Sequence, residues 1–209
     1  MNKNHTKDQK NDLFLIALHQ ICNASIDLRM LHQEAEDSGK AKLRVITSEV
    51  YKTYMETNSF KGTQAIFSDL GVPKEYFNIY DELKRILTGQ FGIPSAEVVF
   101  IHDFKMEIKR LDCFKKVNDG SYRVIIGSIE KLVIGTNIQE RLVRLHHVYI
   151  PYGATDFDQE NGRGVGKGNK GAKEYFGSKV IVSFYVIENS TDALMLSNVN
   201  IKFNIIICY

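Results

Sequence analysis

Apolar positions recur at two different periods along this chain, and the change between them divides it. Leu13, Ile16, Ala17, Gln20, Ile21 and Ala24 follow helical spacing, and so do Leu43, Ile46, Val50 and Tyr54. Asp37-Ser38-Gly39 breaks the two predicted helices apart. From Gly62 onward, short apolar runs alternate with helical stripes. Gln64–Phe67 predicts a strand that stops at Ser68-Asp69, and Pro73 lies in the following loop. Tyr76, Tyr80, Leu83 and Leu87 mark a helix face, closed by Gly92-Ile93-Pro94. Glu97–Ile101 predicts a second strand. Phe104, Ile108, Leu111 and Phe114 predict the next helical stripe, ended by Asn118-Asp119-Gly120. Strands are also expected at Arg123–Gly127, at His147–Ile150 before Pro151, and at Lys179–Ile187.

Strand-helix alternation with short turns predicts an α/β domain whose parallel sheet is covered by helices on both faces, preceded by an N-terminal helical segment. Three stretches follow: a helical segment over 1–60, the α/β lobe over 61–193, and a truncated or divergent tail over 194–209. Ligands of such sheets bind at the carboxyl ends of the strands. Here those ends are Ser68-Asp69, His102-Asp103, Gly127-Ser128 and Pro151-Tyr152.

Composition narrows the chemistry without fixing it. The 209 residues are 44% hydrophobic and 25% charged, as in a globular domain with a sizeable core. A net charge of +2 provides no global basic field, so any phosphate contact must come from local clusters. Cys22, Cys113 and Cys208 are scattered and lack a CxxC pair, which fits reduced buried thiols better than a disulfide framework. The first apolar run soon meets His19 and Gln20, too short and interrupted for a signal peptide or a membrane span. A cytoplasmic protein with no membrane partner is the expectation, and no metal site is expected.

Two stretches carry candidate chemistry. Gly127-Ser128-Ile129-Glu130-Lys131 leads into Gly135-Thr136-Asn137-Ile138-Gln139, and Asp158-Gln159-Glu160-Asn161-Gly162-Arg163 leads into Gly166-Lys167-Gly168-Asn169. A glycine at a strand end lets backbone amides approach a phosphate closely, and a small hydroxyl can donate to one. This order, together with Lys61–Gly71, Tyr80-Asp81-Glu82-Leu83 and Phe100-Ile101-His102-Asp103, resembles the C-terminal RecA-like lobe of superfamily 2 DNA helicases and translocases. In particular it resembles the large helicases of phage and conjugative elements, often associated with methylases.

The resemblance implies a RecA-like sheet and a set of roles. Ser68, Asp69, Ser128, Lys131 and Lys167 would meet nucleic acid. Gly135, Thr136, Asn137, Gln159 and Arg163 would face ATP, with Gln159 and Arg163 in catalytic positions. ATP and Mg would bind only with a partner RecA-like N-terminal lobe, in cis or in trans, and DNA is the implied partner. The implied function is a helicase lobe contributing motifs V and VI. The alternatives are a non-enzymatic nucleic-acid or protein-binding module and a non-functional helicase fragment.

The sequence also departs from that pattern. The family has a second arginine three residues after Arg163, where this chain has Gly166, and Lys167 beside it lacks the planar fork of a guanidinium. Val133 and Ile134 occupy positions that are small in the family. No GxxxxGK(S/T) loop occurs, and Gly162–Gly168 is one residue short of that pattern. Gly166, Gly168 and Gly171 match GxGxxG but follow a predicted helix, so both matches are read as accidental. These departures imply an isolated chain without ATP hydrolysis.

Other conspicuous residues have plainer readings. His146 and His147 lie on a predicted core strand without partner spacing, and His102-Asp103 is a strand-end pair rather than a catalytic dyad. Lys105, Lys109, Arg110, Lys115 and Lys116 read as a solvated helix face. Lys167, Lys170, Lys173 and Lys179 make a better phosphate-binding cluster. After Asp192 the tail carries a single charge, Lys202, and ends Ile205-Ile206-Ile207-Cys208-Tyr209, so an exposed apolar end is expected.

Overall fold

The structure, a computed structural model, describes residues 4–37, 42–73, 76–133, 138–150, 180–188, 190, 192 and 204–208. Its elements run α1 (Asn4–Ile26), α2 (Lys42–Glu56), β1 (Thr63–Phe67), α3 (Ile79–Gly89), β2 (Val98–Phe100), α4 (Glu107–Asp119), β3 (Val124–Gly127), α5 (Ile129–Val133), β4 (Leu142–His147), β5 (Ile181–Ile187) and β6 (Asn204–Cys208). The strands form one sheet in the order β2-β3-β1-β4-β5-β6, and every neighbouring pair is parallel. The expected α/β class with helices on both faces is therefore present.

Alternation along the strands builds two apolar layers. Ile66, Val98, Val124 and Ile126 face one side with α2 residues Leu43, Ile46 and Val50 and α3 residues Ile79, Leu83, Ile86 and Leu87. Ala65, Phe67, Ile125 and Leu145 face the other, against Cys113, Phe114 and Val117 of α4 and Leu132 of α5. The N-terminal helical segment is thus partly core, because α2 supplies fully buried side chains to the same layer as β1. Asn78 starts α3 by accepting the Asp81 amide at 2.9 Å, and Gly120 ends α4 in the left-handed region at φ 83°.

Parallel strands covered on both faces usually read as unbroken apolar runs, yet here a polar layer lies beneath α2. The His146 ring lies 2.6 Å from the Tyr185 hydroxyl at Nδ1 and 2.9 Å from Gln64 Oε1 at Nε2, while the Gln64 amide donates to the Val50 carbonyl at 3.0 Å. Because that amide fixes Gln64 Oε1 as an acceptor, Nε2 carries the proton and Nδ1 accepts from Tyr185. Burial holds His146 well below the usual histidine range, with nearby Arg144 acting in the same sense. Arg144 donates to Ser183 Oγ at 2.9 Å and Thr53 Oγ1 at 3.0 Å, and pairs with Glu49 at 2.9 Å. Buried Arg123 meets the Gly62 carbonyl at 2.7 Å and the Tyr54 carbonyl at 2.9 Å. The histidine pair thus has structural surroundings: His147 stacks on Phe184 with ring centroids 4.6 Å apart.

Several expectations are corrected. The α1 stripe drawn through Leu13, Ile16 and Ile21 is exposed, whereas Cys22 and Ile26 are buried and Leu18 packs in the cluster of Cys22. On α4, Ile108 and Leu111 are 76% and 52% exposed, and the inward face is Cys113, Phe114 and Val117. Tyr76 precedes α3 and is exposed. The strand expected at His147–Ile150 lies earlier, at Leu142–His147, because the charge of Arg144 masks a segment whose guanidinium is internally satisfied. Residues 204–208 form β6 on the edge of the sheet, where Cys208 is buried and Ile206 packs against the core, in place of the exposed apolar end expected there.

Candidate nucleic-acid interface

The carboxyl ends of β1 to β4 bring together part of the constellation read from sequence. Gly127 ends β3, and its backbone dihedrals are not in the left-handed region. The reason for glycine is steric: a Cβ there would stand 2.9 Å from Leu132 Cδ1 and Cγ, and closer still to Ile101 Cγ2. Close packing of α5 onto the β2 end, rather than the phosphate approach expected from sequence, accounts for this glycine.

Ser128 follows as the residue before α5. Its Oγ accepts a long bond from the Lys131 amide at 3.4 Å, and its carbonyl accepts from Leu132 at 3.1 Å. Accepting leaves the hydroxyl proton available to an outside acceptor such as a phosphate oxygen. Lys131, one turn on, is exposed.

Asp69 is exposed at the β1 end, yet both its oxygens are engaged. Oδ1 accepts the Ile129 amide at 3.1 Å and Oδ2 accepts the Tyr149 hydroxyl at 3.0 Å. Ser68, expected at the interface, is instead fully buried, with its hydroxyl donating to the Leu70 carbonyl at 2.8 Å and its own carbonyl accepting from Tyr80 at 2.5 Å. Its side chain is not presented to a ligand. Burial pushes the Tyr80 hydroxyl above its ordinary range.

His102 stands at the β2 end in edge-on contact with Tyr80, ring centroids 5.3 Å apart. Its Nδ1 is buried without a hydrogen-bond partner among the described residues. Burial lowers its pKa and the Lys131 ammonium lowers it further, while Asp103 and Asp69 oppose them. His102, Lys131 and Asp69 thus share one electrostatic neighbourhood. Glu130 and Asp103 add negative charge to this edge, so the described part of it is not a basic patch. The signal that would have revealed Tyr149 as a partner of Asp69 is absent from sequence, since eighty positions separate them.

Gly135, Thr136, Asn137, Gln159, Arg163 and Lys167 lie outside the described residues, as do Gly166 and the lysines at 170, 173 and 179. Cys22, Cys113 and Cys208 are free and buried, and burial pushes the Cys113 thiol up to about 12 and that of Cys208 to about 11. Among the described residues no group of three or more His, Cys, Asp or Glu could hold a metal ion, and no helix is long and apolar enough to cross a membrane.

No known family profile and no curated protein sequence matches this chain. Among solved structures, the C-terminal part of the Fun30 ATPase domain shares its fold, with a TM-score of 0.57 at 11% identity over 90% of this chain and 55% of that one. The Pyrococcus furiosus Hef helicase domain is similar at a TM-score of 0.49 and 10% identity, over 76% of this chain and 28% of that one. The chain therefore spans 55% of the first of these proteins and 28% of the second. The likeness to Fun30 identifies an α/β RecA-like fold.

Proposed function

We propose that this chain is the C-terminal lobe of a superfamily 2 DNA helicase or translocase, of the kind found in phage and conjugative elements. The observation that carries the reading is the placement of Gly127-Ser128-Ile129-Glu130-Lys131 at the carboxyl edge of a RecA-like parallel sheet. That edge is where ligands of open α/β sheets bind. Ser128 offers a hydroxyl proton and Lys131 an exposed ammonium to the phosphate backbone. Lys167 and its neighbouring lysines in sequence would supply further phosphate contacts.

The residues present do not fit ATP and Mg on their own, because the chain has no GxxxxGK(S/T) loop and Gly166 stands where a second arginine belongs. No hydrolytic step is assigned to the chain alone. Gln159 and Arg163 would act on nucleotide held by a RecA-like N-terminal lobe, in cis or in trans. The same two departures favour a second reading, a binding module that keeps the fold without the enzyme.

Binding of labelled DNA by the full chain, titrated across salt concentrations, tests the proposal. Lys131→Ala is expected to weaken binding and to reduce the salt slope by about 1. Absence of DNA binding at low salt, or a Lys131→Ala variant indistinguishable from wild type, overturns the reading. DNA-stimulated ATPase that appears on adding an N-terminal lobe and disappears with Arg163→Ala selects the enzyme over the binding module.

A further inference from the structure

Three strand ends meet at one carboxylate. Asp69 leaves β1, accepts the first amide of α5 through Oδ1 and accepts the Tyr149 hydroxyl, just beyond β4, through Oδ2. The Ile129 amide is among those at a helix start that have no intrahelical acceptor, so an anionic oxygen there stabilises the start of α5. The cap from Ser128 is the weaker of the two, at 3.4 Å against 3.1 Å. Tyr149 stands two residues before the stretch 151–179, which contains Gln159 and Arg163.

From this bridge we infer that Asp69 is a positioning residue and not a nucleic-acid contact, an inference that rests on the nucleic-acid reading above. Its carboxylate holds Ser128 and Lys131 in place from the β1 side and ties them, through Tyr149, to the chain just beyond β4. A carboxylate facing phosphate would repel it, and each of its oxygens already accepts from a donor of the protein itself.

The two roles predict opposite signs. If Asp69 merely stands beside the nucleic-acid backbone, removing its charge raises affinity, equally for Asn and Ala. If it positions α5, Asp69→Ala weakens binding. Asp69→Asn restores it, because Oδ1 still accepts the Ile129 amide and the side-chain amide can donate to the Tyr149 oxygen.

The experiment measures single-stranded DNA affinity of the full chain by fluorescence anisotropy for Asp69→Ala, Asp69→Asn, Tyr149→Phe and Asp69→Ala/Tyr149→Phe, with amide exchange at Ile129 read in parallel. Asp69→Ala is expected to lose about tenfold and Tyr149→Phe about threefold, a scale set by single hydrogen bonds to a charged group. The double variant should be no weaker than Asp69→Ala, since the two act through one bridge. Exchange at Ile129 should accelerate in Asp69→Ala and remain slow in Asp69→Asn. Affinity at or above wild type in Asp69→Ala, or unchanged Ile129 exchange, overturns the inference. Absence of DNA binding by the wild type overturns the functional reading, and the exchange rates then decide the bridge alone.

Discussion

Replacing Gly127 with alanine separates the two reasons a glycine can stand at the end of β3. If the residue is small so that phosphate can approach, Gly127→Ala leaves stability unchanged or slightly raised, because its backbone is not in the left-handed region and alanine lowers the entropy of the unfolded chain. The structure gives a different answer. The new Cβ would stand 2.9 Å from two Leu132 carbons and nearer to Ile101 Cγ2, and both side chains are buried at about 1% exposure, so neither can swing into solvent. Overpacking of this kind costs about 1–3 kcal/mol, offset by roughly 0.5–1 kcal/mol from losing glycine, which at mid-range values leaves a net loss of about 1–1.5 kcal/mol. With a urea dependence of about 2 kcal/mol per molar, the unfolding midpoint falls by about 0.5–0.75 M. The cycle with Ile101→Ala adds a second reading. Alone, that truncation costs about 2–5 kcal/mol. Combined with Gly127→Ala, the total should fall short of the sum by at least about 1 kcal/mol, because removing Cγ2 clears the space. A Gly127→Ala midpoint equal to or above wild type, or strict additivity with Ile101→Ala, refutes the packing argument.

Two further outcomes follow from the buried polar groups. His146 is neutral in the folded protein and titrates near 6.5 when unfolded, so the unfolded state binds more protons in acid. Its contribution is fully present above about pH 6.5 and declines by up to about 1.4 kcal/mol per pH unit below it. Urea midpoints between neutral pH and pH 5 should show this slope, and His146→Gln should flatten it; equal slopes in both proteins would refute the neutral assignment. Lys42 pairs with Asp192 at 2.5 Å in a fully buried setting, and Asp192 also accepts the Ile187 amide at 3.2 Å. Lys42→Met alone should cost about 3–5 kcal/mol by leaving a buried charge unpaired, and adding Asp192→Asn, which keeps an acceptor for Ile187, should recover most of it. If thermal unfolding shows the double variant no more stable than the single one, the penalty does not come from the orphaned carboxylate.

The alternation of strands and helices was legible because β1, β2, β3 and β5 are largely apolar or β-branched and bounded by turn residues, a pattern set by burial on both faces. Helix faces were less legible. Leu13 to Ile16 are four consecutive apolar residues, which point in all directions around a helix and define no face, and the contact of α1 with the body comes later, at Cys22 and Ile26. On α4 the stripe through Ile108 and Leu111 has helical period, but Cys113 and Val117 bracket the face that meets the sheet. Periodicity reports that a face exists and does not say which neighbour covers it. β4 was displaced because Arg144 and His146 look polar in sequence, and only partners from α2, β1 and β5 make them compatible with a central strand.

At the candidate site the strand-end positions of its residues were legible in the sequence, and the partners of their polar atoms were not. Ser68, Asp69, Ser128 and Lys131 all read as small or charged residues at strand ends, where phosphate contacts are expected. The structure separates them by what their polar atoms already do. Ser68 is spent inside, Asp69 bonds two other elements, Ser128 accepts and keeps a proton to give, and the Lys131 ammonium reaches solvent. Position alone could not assign these roles, because each depends on a partner distant in sequence: Ile129 and Tyr149 are 60 and 80 residues from Asp69. Two acids, Asp103 and Glu130, share the edge with Lys131. On the proposed function, the described part of this edge would therefore hold a polyanion through aimed donors rather than through net charge. Aimed donors depend on positioning, so on that reading the capping of α5 by Asp69 would matter to binding alongside the ammonium that α5 carries.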